Sequence, residues 1–421
     1  MNSRSFGLSV GAVLPIHRIV ETIRFLRQAT LAIVAGALGV TVPHALAKVP
    51  APDGAHSATV ASTPGAGHVS VVDGRLMVGD RNLFLAGVNA PNRRTDWHLQ
   101  AAGCMSEAVD LPALFDALGP DSLVRVWFTQ GMATTAGDAP ARDWSALDET
   151  IRDADASPNH PHLLITLTSG SGDCDWGRWH GQRWFETGWQ TDVVPGSLTT
   201  YERWVDDVVT RYRDHPSVAM WEPVNEPDGA TCAPGHEGSG CFGHASCLDG
   251  ATAALAGFYT RLGAHLHAIA PSQLVSDGGG GWCGWDEAGA PLIDRSPGID
   301  IIGFHDYHED GTALPAKLVA MLRLGRELGK PVLIGEVGIN AQAGTGSMTC
   351  QSLTRRSELL AAKLQAARRA GAAGFVLWSY QPGSPSSCNL DIRQDDPAIA
   401  ILGSSPMPSA PAGLHPGQRA I

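Results

Sequence analysis

Two glutamates close apolar runs in this chain: Glu226 in "AMWEPVNEPD" (219–228) and Glu336 in "PVLIGEVG" (331–338). Runs of this kind fill buried parallel strands, where a charged side chain is costly unless it is paired or used. Two carboxyl groups facing each other across a gap suit one reaction in particular, the hydrolysis of a glycosidic bond. One gives its proton to the departing oxygen while the other, ionised, attacks the anomeric carbon. Residues able to support that chemistry end other apolar runs: Arg125 in "SLVRVWF", His305 and Tyr307 in "IGFHDYH", and Trp378 in "FVLWSY". Arg125 can hold the attacking carboxylate ionised and Tyr307 can donate to it. Asn225 can hydrogen-bond the sugar 2-hydroxyl, and Trp378 offers a flat apolar floor for a sugar face. Taken singly, each has an ordinary explanation in solvation, ion pairing or packing; their joint occurrence at strand ends points to a site.

Eight apolar runs position these residues: 83–89, 122–128, 162–168, 217–225, 273–278, 298–305, 330–336 and 373–380. Helical periodicity fills most of the intervals, at 107–118, 144–155, 200–214, 251–269, 313–328 and 354–370. The alternation predicts an α/β fold of (β/α)8 TIM-barrel type, in which catalytic groups come from the C-terminal ends of the strands. A doubly wound open sheet would carry a Gly-rich phosphate turn after its first strand, and "GVNAPNRR" is not one. Ahead of the barrel, "HVSVVDGRLMVGD" (68–80) alternates around Asp73-Gly74 and predicts a two-stranded hairpin lid.

The chain has 421 residues, with 42 acidic against 30 basic side chains and a formal charge of −12, so nucleic acid and anionic membranes are not expected partners. Arginines 18, 24 and 27 precede the apolar run 29–42, and "ALA" at 45–47 supplies a cleavage site; residues 1–47 are therefore expected to be a signal peptide. The run is short for a membrane span, which needs roughly 20 apolar residues. Residues 48–67 read as a flexible leader, 68–403 as the catalytic domain and 404–421 as a disordered tail. Secretion or export to a periplasm, as a monomer with no membrane attachment after cleavage, is the corresponding expectation.

An even count of eight cysteines in an exported chain suggests disulfides. Cys232, His236, Cys241, His244 and Cys247 crowd the loop after Glu226; a zinc site is the alternative to a disulfide brace that draws a partner from elsewhere, Cys174 or Cys283. Tryptophans cluster as well: Trp176, Trp179, Trp184 and Trp189 follow the third run, and Trp282 and Trp285 follow the fifth. Indoles at a barrel mouth suit sugar faces, and Trp176 and Trp282 are taken as substrate-binding candidates.

"WEPVNEP", "IGFHDYH", "KPVLIGEVG" and "FVLWSY" together resemble the strand 4, 6, 7 and 8 signatures of glycoside hydrolase family 5, in clan A, over residues 68–395. The resemblance implies a (β/α)8 barrel and a retaining mechanism without a cofactor, with Glu226 as acid/base and Glu336 as nucleophile. It also places Arg125, Asn225, His305, Tyr307 and Trp378 around the sugar at the cleavage point. Within the family, "VRVWF" and "LTSGSGDCDWG" resemble endo-β-1,4-mannanases, and Thr166 and Thr168 stand where many of the cellulases have a histidine. The alternatives are an endo-β-glucanase, a hydrolase of another cell-wall or exopolysaccharide glycan, or a barrel that binds glycans without turnover. Asp228 stands where the mannanase pattern has an arginine that contacts the leaving-side sugars.

Overall fold

A computed structural model of the chain describes residues 68–91, 109–236, 241, 243–308, 314–344, 350–381 and 388–403. The expected signal peptide, leader and tail, and Cys104, lie outside the described residues. Strands β1 (Val69–Val72), β2 (Arg75–Val78) and β3 (Arg81–Asn82) form an antiparallel sheet. Asp73 and Gly74 turn the first pair with φ of 49° and 70°, the positive values a two-residue hairpin turn requires. This sheet has one strand more than the sequence predicts, and it does not cover the mouth. Val69, Leu76 and Leu83 pack in one cluster with Leu85, Leu123, Leu164, Ile301 and Leu333, so the sheet plugs the end of the barrel where the strands begin.

The eight apolar runs become β4 (Leu85–Asn89), β5 (Leu123–Trp127), β6 (His162–Thr166), β7 (Val218–Glu222), then β10 (Leu274–Val275), β11 (Ile302–Asp306), β12 (Val332–Val337) and β15 (Gly374–Leu377). Short pairs elsewhere are β8 (Thr231–Cys232) with β9 (Ala245–Ser246), and β13 (Ala341–Gln342) with β14 (Gln351–Ser352). The eight pair in parallel in the order β10-β7-β6-β5-β4-β15-β12-β11, and a parallel bridge from Ser276 to Ile301 joins the two ends. This is the closed ring of a (β/α)8 barrel.

Helices return the chain between strands, and their ends follow the sequence. Thr200 accepts from Arg203 N to start Tyr201–Tyr212, and Ser352 accepts from Arg355 N to start Leu353–Ala370. Gly329 and Gly371, with φ of 66° and 93°, end Ala316–Leu328 and Leu353–Ala370. The helices that were not expected are short: Gly131–Ala133, Trp184–Gly188 running into Trp189–Thr191, Ala290–Asp294 between β10 and β11, and Pro397–Gly403 after the last strand.

Inside the ring the period of two sets the layers. Leu123, Leu164 and Met220 belong to the apolar layer above the plug. Two residues further along the same strands stand Arg125, Thr166 and Glu222, all buried. An apolar floor thus carries a polar layer directly above it.

Candidate active site

Arg125 is the centre of that polar layer. Its side chain is fully buried, and all five guanidinium N–H groups are used. Nε and Nη2 donate to Glu222 Oε1 (3.1 and 2.5 Å), Nη2 to Asn225 Oδ1 (2.5 Å), and Nη1 to Asn89 Oδ1 and Glu336 Oε1 (2.7 Å each). Burial lowers the Arg125 pKa, but the charges of Glu222 and Glu336 outweigh it and leave the group above its ordinary value. Thr166 Oγ1 donates to Glu222 Oε1 (2.8 Å). Glu222 and Asn89 were not singled out in the sequence; the signal for Glu222 was its place two residues after Met220 on the inward face.

Glu336 reaches the interior through a fault in register. Ile334 pairs with Phe304 and Glu336 with His305, so Gly335 is an extra residue in β12 with no counterpart on β11. A bulge of this kind re-aims the side chains beyond it. Asn89 Nδ2 donates to Gly335 O (2.9 Å) and holds the bulge against β4. Glu336 accepts from Arg125 on one oxygen and from the Tyr307 hydroxyl on the other.

Glu226 does not end a strand, as the sequence suggested. Strand β7 stops at Glu222, and Glu226 lies four residues later in left-handed backbone conformation with φ of 46°. Its N–H donates to Gly278 O (2.9 Å), and Asn225 is tied to β6's continuation through Asn225 N to Thr168 O (2.8 Å). The side chain is 49% exposed, whereas Glu336 is 3% exposed. His305 Nδ1 lies 2.8 Å from Glu226 Oε1 and 3.4 Å from Glu336 Oε2. One oxygen of each carboxylate and one ring nitrogen of His305 all lie within 4.8 Å of one another.

Burial raises Glu226, but the hydrogen bond and charge of His305 overcome it and set its pKa below the ordinary range. Burial raises Glu336, and the opposing charges of His305 and Arg125 do not fully offset it. Burial lowers His305, and the charges of the two glutamates raise it by more. Each of the three groups thus shifts the titration of the other two.

Trp378 is half-buried and packs toward Trp127, with ring centroids 6.3 Å apart and Met132 and Cys174 alongside. The peptide bond from Trp378 to Ser379 is cis. Trp176 lies on the loop after β6, its indole against Gly196, where an added Cβ would lie 2.6 Å from Trp176 Nε1. Trp184, Trp189 and Trp285 are buried at 8%, 1% and 3% exposure, whereas Trp282 is 61% exposed. The tryptophan cluster therefore divides: most of it braces loops, and Trp282 faces outward.

The Cys/His loop is closed by disulfides, Cys232 to Cys241 and Cys247 to Cys283; a third joins Cys350 to Cys388, and Cys174 is also disulfide-bonded. These thiols are consumed and cannot serve as thiolate ligands for zinc. Cys283 is one of the two outside partners the sequence suggested.

Comparison with known proteins fits this architecture. The endo-1,4-β-mannanase from Rhizomucor miehei superimposes with a TM-score of 0.58 at 17% identity, covering 80% of this chain and 97% of that one. The β-1,4-D-mannanase from Cryptopygus antarcticus gives 0.52 at 18%, over 81% and 96%. The glycoside hydrolase family 5 mannosidase from Rhizomucor miehei gives 0.50 at 15%, over 80% and 96%. The fold is that of family 5 glycoside hydrolases. In sequence, the probable mannan endo-1,4-β-mannosidase C of Aspergillus terreus is 30% identical over 128 residues, 27% of this chain. The match spans 29% of that relative's length. No family model matches the chain.

Against the mannanase pattern, Asp228 has a structural assignment. It is 8% exposed and accepts from Ala230 N (2.8 Å) and Cys283 N (3.1 Å) on Oδ1 and from Trp282 N (2.9 Å) on Oδ2. It staples the loop after β7 to the loop after β10.

Proposed function

We propose that this chain is an exported retaining glycoside hydrolase that cleaves β-1,4-mannan within the chain by double displacement. The observation that carries the reading is the approach of one Glu226 oxygen and one Glu336 oxygen to within 4.8 Å, which brings the two carboxyl groups to close range. A retaining pair stands about 5–5.5 Å apart, whereas an inverting pair keeps about 6.5–9.5 Å for a water.

Glu336 is the nucleophile. Arg125 and Tyr307 each donate to one of its oxygens, and those donors favour the ionised form at the moment of attack. Glu226 is the acid/base. In the free site His305 holds it anionic, the reverse of what the first step needs. A sugar seated on the half-exposed Glu226 strips water from it and places an acceptor oxygen beside it, and both changes favour the protonated carboxyl. The proton has a short path, 2.8 Å from His305 Nδ1 to Glu226 Oε1. Glu226-H then protonates the leaving oxygen as Glu336 attacks the anomeric carbon. In the second step Glu226 takes a proton from water, which displaces Glu336. Asn225 Oδ1 is occupied by Arg125, so Nδ2 is the donor left for the 2-hydroxyl.

Mannan is supported by the names of the matching proteins and by threonines 166 and 168 at the end of β6. Export is supported by the disulfides. The test is product release from mannan, glucomannan, cellulose, β-1,3-glucan and arabinan by wild type and Glu226→Ala. Cleavage of mannan, lost in the variant, is expected; cleavage of cellulose alone would move the reading to an endo-β-glucanase.

A further inference from the structure

Asp277 stands just beyond β10 and Asp294 ends the short helix Ala290–Asp294, and both are fully buried. The two side chains are within hydrogen-bonding reach of each other. Among the described residues no other donor reaches Asp277 Oδ2 or either carboxyl oxygen of Asp294. A hydrogen bond between two carboxyl groups exists only if one of them keeps its proton. Two bare carboxylates out of water would repel each other, whereas a single proton between them satisfies both. Burial raises the Asp277 pKa, and burial together with the charge of Asp277 raises Asp294 further.

The groups around the pair do not neutralise it. Glu222 of β7 adds a like charge, and the Tyr259 hydroxyl, on the helix Ala251–Ile269, donates to the Asp277 carbonyl oxygen rather than to its carboxyl. Lys330 Nζ donates to the carbonyl oxygens of Asp294 (2.6 Å) and Ser296 (2.7 Å), and its charge is drawn on by Asp300 as well. Lys317 of the helix Ala316–Leu328 acts on Asp294 through charge alone.

What the pair holds is the backbone behind two groups of the candidate site. Asp277 Oδ1 accepts from Gly279 N (2.9 Å) and from Gly303 N (2.7 Å), on β11 just before His305. Gly278 O accepts from Glu226 N (2.9 Å). Gly279 lies so close to His305 that an added Cβ would stand 2.5 Å from its Nε2. One Asp277 oxygen thus fastens the turn that backs both Glu226 and His305, and the other faces Asp294.

Building on the function proposed above, we propose that Asp277 and Asp294 hold one proton between them and act as the positioning pair for Glu226 and His305. With the proton in place the Gly278–Gly279 turn is fixed against both groups. Without it two buried anions repel, and the turn is released.

Infrared difference spectra of wild type and Asp294→Asn at neutral pH test the proton. A protonated-carboxyl band is expected in wild type and lost in the variant, whose amide donates to Asp277 and leaves it ionised. If no such band is lost, the shared proton is overturned. This readout needs no turnover, so it decides the pair even if wild type cleaves no glycan, a result that would sink the hydrolase reading alone. Kinetics test the positioning, with kcat/KM measured on β-1,4-mannopentaose and on 2,4-dinitrophenyl β-mannobioside, whose leaving group needs no proton. Asp294→Ala leaves Asp277 without its partner, and its loss should be about tenfold or more larger on mannopentaose, because a displaced general acid costs only the substrate that needs one. Asp294→Asn restores the hydrogen bond and should recover most of that loss. Equal losses of Asp294→Ala on both substrates, no loss on either, or no recovery in Asp294→Asn would overturn the positioning role.

Discussion

The proposed chemistry depends on one guanidinium that joins four side chains. Only a planar fork with five N–H groups can hold Glu222, Glu336, Asn225 and Asn89 together, so Arg125→Lys should not be conservative. We expect it to lower kcat about 100-fold or more, near 3 kcal/mol of transition-state stabilisation, with circular dichroism unchanged. His305 makes a second prediction. Its hydrogen bond and charge pull Glu226 down, so His305→Gln should let the acid/base carboxyl rise. The basic limb of the kcat/KM profile reports loss of the essential acid in the free enzyme, and it should move to higher pH. An unmoved limb would show that Glu226 is set by other groups. Much of this residue set was legible: Arg125, Asn225, Glu226, His305, Tyr307 and Glu336 do converge, although Asn225 and Glu226 reach the cluster from beyond the end of β7. Glu222 and Asn89 were missed because each, in sequence, is one polar residue at the end of an apolar run, and only the inward phase of the strands separates it from a loop residue.

At the scale of elements, the eight strands were readable because both faces of each are buried, which leaves continuous apolar runs. The bulge at Gly335 was not readable, since it exists only in the pairing of β12 with its neighbours, yet it decides that Glu336 points inward. The hairpin was readable from Asp73-Gly74, but its place beneath the barrel is set by Val69, Leu76 and Leu83 against the inner floor, a contact that spacing does not encode. Buried ion pairs tie helices to strands in the same hidden way. Lys363 Nζ donates to Asp306 Oδ2 at 2.9 Å with both side chains 2% exposed, joining Leu353–Ala370 to β11 just before Tyr307. Lys363→Ala would strand a buried carboxylate, and urea melts should show a loss of about 3–5 kcal/mol. The exposed Arg355–Glu358 pair on the same helix should show little change when broken.

Across the whole molecule, the loops at the mouth are fixed by covalent and titrating elements together. Breaking Cys247–Cys283 by a double serine substitution should cost about 3–4 kcal/mol, the chain-entropy value for its loop length, in urea melts. Asp175, a buried residue of the loop after β6, accepts from Thr168 Oγ1 (3.0 Å) and Gly131 N (3.1 Å), and burial pushes its pKa up to about 7. A folded pKa above the unfolded one gives stability that is fully present below the ordinary carboxyl pKa and lost as pH rises through about 7. Asp175→Asn keeps the bond from Gly131 N on its Oδ1, reverses the one to Thr168 so that Nδ2 donates to Oγ1, and removes the titration, so its stability between pH 4 and 7 should be flatter than wild type in thermal melts. The proposal of export, by contrast, draws on the signal-peptide pattern of residues 1–47 in the sequence and on the disulfides in the structure.

The central claim is that Glu336 attacks and Glu226 protonates in a double displacement. The measurement that tests it most directly is proton NMR of mannopentaose cleavage in its first minutes, before mutarotation, with Glu336→Ala beside wild type. The account predicts a β-anomer as the first product from wild type and none from the variant. An α-anomer appearing first, or undiminished cleavage by Glu336→Ala, would contradict it.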